Sequence, residues 1–171
     1  MKVIALQGSP RVDGNTTKLL DAMFNGHHID IVHVVEAGIR PYEYTGFPDD
    51  DPVLALGERM GAADIIVFAT PVFWYSMSAQ LKAFFDRFTD LMFVRKEIGQ
   101  KLGGRLAYLV SSGAEAELPE GFEVPFRRTC QYIGMDYRGA FYGMTNPDSV
   151  GFSPEVLKAA NDFGQQILGG G

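Results

Sequence analysis

The chain has 171 residues and a mass of 18.8 kDa, which suits one domain able to bury roughly 70% of its unfolded surface. Its hydrophobic share of 46% and charged share of 21% are globular values, and a net charge of -6 excludes a general nucleic-acid binder, which needs a basic stripe. No apolar run is long enough to span a bilayer, no signal-like segment precedes the first strand, and the single Cys130 excludes an internal disulfide and an all-cysteine metal site, so cytoplasm is the expected compartment.

The apolar run Val3-Ile4-Ala5-Leu6 predicts a buried strand over Lys2–Leu6. Behind it comes Gly8-Ser9-Pro10-Arg11-Val12-Asp13-Gly14-Asn15-Thr16-Thr17, with loop chemistry throughout. Apolar residues then resume at helical spacing (Leu19, Leu20, Met23, Phe24), predicting a helix over Thr16–Phe24. A strand feeding a helix through such a loop aims backbone N–H groups and the positive helix end at one point, which suits a phosphate. Asn15 and Thr16 can cap the helix and still donate, and Arg11 adds a positive fork. A nucleoside-triphosphate loop needs Gly-Lys-Ser/Thr where this chain has Gly14-Asn15-Thr16, and the G-x-G-x-x-G dinucleotide pattern is absent. An ordinary strand-to-helix turn uses the same residue types, and that reading stays open here.

A second strand is expected over Ile29–Val34 and a second helix over Pro52–Gly61. The long loop Glu36–Asp51 between them carries Tyr42, Tyr44 and Asp49-Asp50-Asp51, acids expected to be merely solvated. His27, His28 and His33 have no partner at ligand spacing, so no metal site is expected. The run Ala63–Ala69 predicts a third strand over Asp64–Ala69, buried on both faces. After it, Thr70-Pro71-Val72-Phe73-Trp74-Tyr75-Ser76-Met77-Ser78 leads into a helix expected over Ala79–Met92, with Leu81, Phe84, Phe85, Phe88, Leu91 and Met92 on one stripe. Three aromatics at a strand end suit a wall for a flat ring system, and equally a plug on the core or an interface. Further strands are expected over Arg105–Val110 and Tyr137–Tyr142, and further helices over Val124–Ile133 and Pro154–Leu168, the last with Ser153 as N-cap. The loop Gly113–Glu123 is again acidic, and 169–171 read as a flexible tail after a single domain of residues 1–168. Strict alternation of strand and helix means a parallel sheet with helices on both faces.

Gly-Ser-Pro-Arg-x-x-Gly-Asn-Thr, followed by Thr-Pro-Val-Phe-Trp-x-x-Met-Ser-Ala-x-Leu-Lys-x-Phe-x-Asp-Arg, resembles the NAD(P)H-dependent FMN reductases of the flavodoxin-like superfamily. Residues 8–17 match that family's phosphate loop and 70–87 its isoalloxazine loop and following helix, with Phe73 where Tyr is more usual. The resemblance implies an α/β flavodoxin-like fold, with a five-stranded parallel sheet in the order 2-1-3-4-5 and a ligand crevice at the carboxyl ends of strands one and three. It implies FMN with its phosphate on Ser9, Arg11, Asn15, Thr16 and Thr17, and its ring on Pro71, Val72, Phe73, Trp74 and Tyr75. Ser76 would belong to the same ring-binding loop, with Met77 and Ser78 at its exit, and Ser111, Ser112 and Gly113 would donate to the pyrimidine edge. Hydride from NAD(P)H would pass through the flavin to a small acceptor, with no side-chain acid or base required. Many such proteins carry cysteines between the second strand and second helix, and some ligate an iron–sulfur cluster there; this chain has none in that segment. A flavodoxin-type electron carrier and a non-redox sensor on the same fold are the rival readings. A homodimer is expected, with Phe93 and Val94 covered and Asp86 and Arg87 paired on the helix surface or across the two-fold.

Overall fold

The computed structural model describes residues 1–146 and 151–169. Five strands, β1 (Val3–Gln7), β2 (Asp30–His33), β3 (Ile65–Pro71), β4 (Leu106–Gly113) and β5 (Asp136–Met144), form one parallel sheet in the order 2-1-3-4-5. The expected topology is therefore present. β3, β4 and β5 each run past their expected carboxyl ends, so Pro71 and the Ser111-Ser112-Gly113 triplet are strand residues fixed by ladder pairing, with Pro71 opposite Ser112.

Alternation along the strands splits the core in two. Val3, Ala5, Ile65, Val67, Tyr108 and Val110 pack against α1 (Asn15–Met23) and α6 (Pro154–Gly169). Gly164 is where these helices touch: a Cβ there would lie 1.8 Å from the Met23 carbonyl oxygen. Ile4, Leu6, Ile66, Phe68 and Leu109 face α2 (Pro52–Gly61), α3 (Ala79–Asp86) and α5 (Val124–Ile133). Phe68, Phe85 and Phe126 meet there edge-on or tilted. Cys130 of α5 lies in the same layer, and burial pushes its thiol up to about 12.

Helix ends follow from local chemistry. Asp51 caps α2 by accepting from the Val53 N–H at 3.0 Å, with Pro52 at the first position. α5 stops at Gly134, whose φ of +87° suits glycine. The Gly169 placed in the tail by sequence closes α6, while 170 and 171 lie outside the described residues.

The helix expected over Ala79–Met92 is not continuous. α3 ends at Asp86, a tight turn follows, and Asp90–Val94 is wound as a π-helix in which the Arg95 N–H reaches the Asp90 carbonyl. Phe88 and Leu91 remain buried, so the apolar stripe survives the change of winding. A buried ion cluster accompanies it. Arg87 is fully buried, donates from Nε to Asp90 and from Nη1 to the Arg40 carbonyl, pairs with Asp51 at 2.8 Å, and lies 3.3 Å from the Phe47 ring centroid. Two expectations fall with this. Asp51 is buried in an ion pair rather than solvated, and Arg87 is no surface or intersubunit partner of Asp86, which pairs with Lys82. A short α4 (Lys96–Gly99) and a 3-10 turn at Gln100–Leu102 follow, burying Ile98 and Leu102.

Candidate functional site

The carboxyl ends of β1, β3 and β4 meet around a cleft of about 380 Å³. Ser9, Arg11, Asn15 and Thr16 line one side, and Pro71, Val72, Phe73, Ser112 and Gly113 the other. Pro10, Gly14, Ala114 and Thr145 complete the lining, and no sequence signal marked the last two.

The first wall is a preformed loop. The Gly8 N–H donates to the Ala69 carbonyl at 2.7 Å. Ser78 Oγ donates to the Gly8 carbonyl and accepts from the Leu81 N–H at 3.2 Å, so one hydroxyl caps α3 and clamps the loop. A side chain at position 8 would collide with Leu81, its Cβ falling 2.6 Å from that residue's Cβ. Inside the loop the Arg11 N–H donates to Ser9 Oγ at 3.2 Å, and Arg11 itself is exposed. Neither Asn15 nor Thr16 caps α1. The N-cap is Gly14, which has no side chain to offer, so the first turn, whose Asn15 and Thr16 line the cleft, has no capping oxygen. Thr16 Oγ1 lies 3.4 Å from Ser112 Oγ across the cleft floor, and Asn15 Oδ1 is buried without a partner. Thr17 is not brought to this group: its hydroxyl donates to the Val12 carbonyl at 2.6 Å and braces the loop from behind.

The second wall ends in a tight turn. Phe73 and Ser76 exchange both backbone hydrogen bonds, at 2.9 and 3.0 Å. The two residues between them, Trp74 and Tyr75, have φ of +48° and +61° and are the only non-glycine residues with positive φ among the described ones. Trp74 is 93% exposed and Tyr75 64%. Neither lines the cleft, nor does Ser76; Met77 is buried in the core. Ser111 is also absent from the cleft. Strand alternation turns it to the sheet face opposite Ser112, where its hydroxyl is buried without a partner.

A larger groove of about 640 Å³ lies between α3 and α5, beneath Tyr42 and Tyr44. Its rings and its single arginine, Arg128, do not converge on a helix N-terminus, so it lacks the donor set of the smaller cleft.

The sequence profile of the NADPH-dependent FMN reductases matches residues 1–120. The chain belongs to that family. Members use FMN and NAD(P)H as oxidoreductases, and the donor set of the cleft fits the first of these. Uncapped helix N–H groups with Ser9 and Arg11 suit a phosphate, and the buried Asn15 oxygen suits a polyol hydroxyl. Among relatives in the family, a Bacillus subtilis (strain 168) protein bearing the name of an NAD(P)H-dependent FMN-containing oxidoreductase, YwqN, is 27% identical over 94% of this chain and 95% of its own length. An iron-sulfur flavoprotein of Methanocaldococcus jannaschii is 32% identical over 92% of this chain and 87% of its own. The NAD(P)H:quinone oxidoreductase structure from Methanothermobacter marburgensis superposes with a TM-score of 0.73 at 21% identity, covering 98% of this chain and 96% of that one, which supports the fold. No helix among the described residues is long and apolar enough to cross a membrane.

Proposed function

We propose that the chain binds FMN in the cleft between its first and third strand ends and oxidises NAD(P)H in the cytoplasm, passing electrons to a small acceptor of the quinone, flavin, nitro or azo class. The observation that supports this most is the uncapped start of α1, faced by Ser9 and Arg11 and sharing one cleft with Val72 and Phe73. Ser9, Arg11, Asn15 and Thr16 hold the phosphate end, and Pro71, Val72 and Phe73 back the ring, with Ser112 and Gly113 beside it. Bound flavin supplies hydride acceptance and onward electron delivery. The protein's share is binding and orientation, and no side-chain acid or base is needed. The N–H groups of Val72, Phe73 and Ser76 are already bonded within the protein. The donors this turn can offer a ring edge are therefore those of Trp74 and Tyr75.

Mixing the FMN-loaded protein with NADH or NADPH and following oxidation at 340 nm (roughly the nicotinamide maximum) tests the activity. Bound FMN without nicotinamide oxidation would make the chain an electron carrier instead. The same reading includes a homodimer. Tyr44, Phe93, Val94 and Tyr132 are all more than half exposed, and Tyr44, Phe93 and Tyr132 also line the larger groove, so one face has both knobs and a hole, as a two-fold contact requires. Light scattering giving the mass of a single 18.8 kDa chain would defeat that part.

A further inference from the structure

The side chains that β1 turns toward α1 are Val3, Ala5 and Gln7, two core residues and then an amide at the strand end with no exposure at all. An apolar residue would continue the row. A buried amide is tolerated only when its hydrogen bonds are made, and here they go to the phosphate-type loop. Gln7 Nε2 lies 3.0 Å from the Arg11 carbonyl oxygen and 3.1 Å from Thr17 Oγ1. The Thr17 proton is committed to the Val12 carbonyl, so toward Gln7 this hydroxyl accepts. Both neighbours are acceptors, which fixes the amide with its nitrogen toward the loop. Gln7 Oε1 then faces His33 Nδ1 at 3.4 Å on the neighbouring strand.

We propose that Gln7 is a positioning residue for the cofactor phosphate, acting through Arg11 and the first turn of α1; this rests on the reading that FMN's phosphate occupies that loop. Arg11 is gripped on both sides of its Cα, its N–H by Ser9 Oγ and its carbonyl by Gln7. Gln7 also reaches Thr17, one of the first three residues of α1, so a single side chain sets the loop against the helix end. The backbone that carries Arg11 and the free N–H groups are thereby set before the ligand arrives, and the ordering cost of binding falls. Gln7 touches no ligand atom and takes no part in redox chemistry.

The test is titration of Gln7→Met and Thr17→Val with FMN and with riboflavin, read by flavin fluorescence, beside a thermal melt of each variant. Each variant is expected to bind FMN about tenfold more weakly while riboflavin affinity stays within about twofold, as loss of a loop-holding hydrogen bond predicts. Gln7→Glu, titrated at a pH where the new side chain is a carboxylate and so cannot donate to the Arg11 carbonyl, should lose at least as much FMN affinity as Gln7→Met. Should Gln7→Met not fold, Thr17→Val cuts the same network from the helix side. A wild-type ratio of FMN to riboflavin affinity in folded variants would overturn the proposal, as would an equal loss for both flavins. A wild-type protein with no preference for FMN would instead remove the phosphate assignment on which it stands.

Discussion

The two walls of the cleft are built on opposite terms. Residues 7–17 form a loop without a left-handed residue, cross-braced by Gln7, Ser9, Thr17 and Ser78. The turn Phe73–Ser76 holds two bulky residues in left-handed backbone and shows them to solvent, closed only by the exchange between Phe73 and Ser76. A two-residue turn of this hand normally takes Asn-Gly. Each non-glycine residue held there costs about 1–3 kcal/mol, and such strain gathers at functional sites. Under the proposed reading, the phosphate end would meet a surface already in its binding shape, and the ring end would lie beside a strained, exposed one.

The largest break in this contrast should come from Ser78→Ala, because that hydroxyl serves both walls. Losing the α3 cap and leaving the Gly8 carbonyl unpaired should cost about 2–3 kcal/mol of stability. Urea denaturation measures it, and a loss below about 0.5 kcal/mol, within the ordinary range for surface substitutions, would show that the clamp is ornamental. Arg11→Ala addresses the preformed wall alone. FMN affinity should fall by about 1.5–3 kcal/mol, the worth of a charge-assisted hydrogen bond, with riboflavin unaffected in the same titration. Trp74→Gly addresses the strained wall and has the opposite sign for stability. Relief of the left-handed strain, less the entropy of glycine, should raise stability by about 0.5–1 kcal/mol while weakening FMN binding. A variant that is both less stable and equally good at binding would contradict the idea of strain kept for function. The gentlest test leaves the chain intact: saturation with FMN should quench the single tryptophan, and unchanged emission would place Trp74 away from the ring.

These two walls were unequally legible. Continuous apolar runs disclosed β1 and β3, and the Gly-Ser-Pro-Arg stretch disclosed the loop that joins β1 to α1, because both signals are local. The uncapped α1 N-terminus was misread because Asn15 and Thr16 have capping chemistry while the chain turns one residue earlier, at Gly14. Ser111 and Ser112 could have been separated by the period of two along a strand, since adjacent residues cannot share a face. The Trp74-Tyr75 turn has no glycine or asparagine to announce it. Arg87 was beyond reach for another reason. Its partners Asp51 and Arg40 lie 36 and 47 positions away in the sequence (87 − 51 and 87 − 40), and nothing local distinguishes a guanidinium bound for the interior from one on a helix surface. The same cluster explains how the segment from Arg40 to Asp51, which has no cysteine, is still pinned to the core: Arg87 binds both its ends and packs on Phe47 between them.

Cys130 turns the second core layer into its own timepiece. The thiol is wholly buried on α5 and is the sole cysteine, so an alkylating reagent reaches it only when that helix parts from the sheet. Labelling that is slow in the native protein and immediate in denaturant would measure how often the layer opens, residue-specifically and without an introduced probe. Alkali should speed the clock twice over. The unfolded thiol ionises near its ordinary value of 9.0 and the folded one only at about 12, so this group's share of stability is intact below the first value and drains away between the two. Over that interval openings become more frequent, and each exposes a thiolate ready to react.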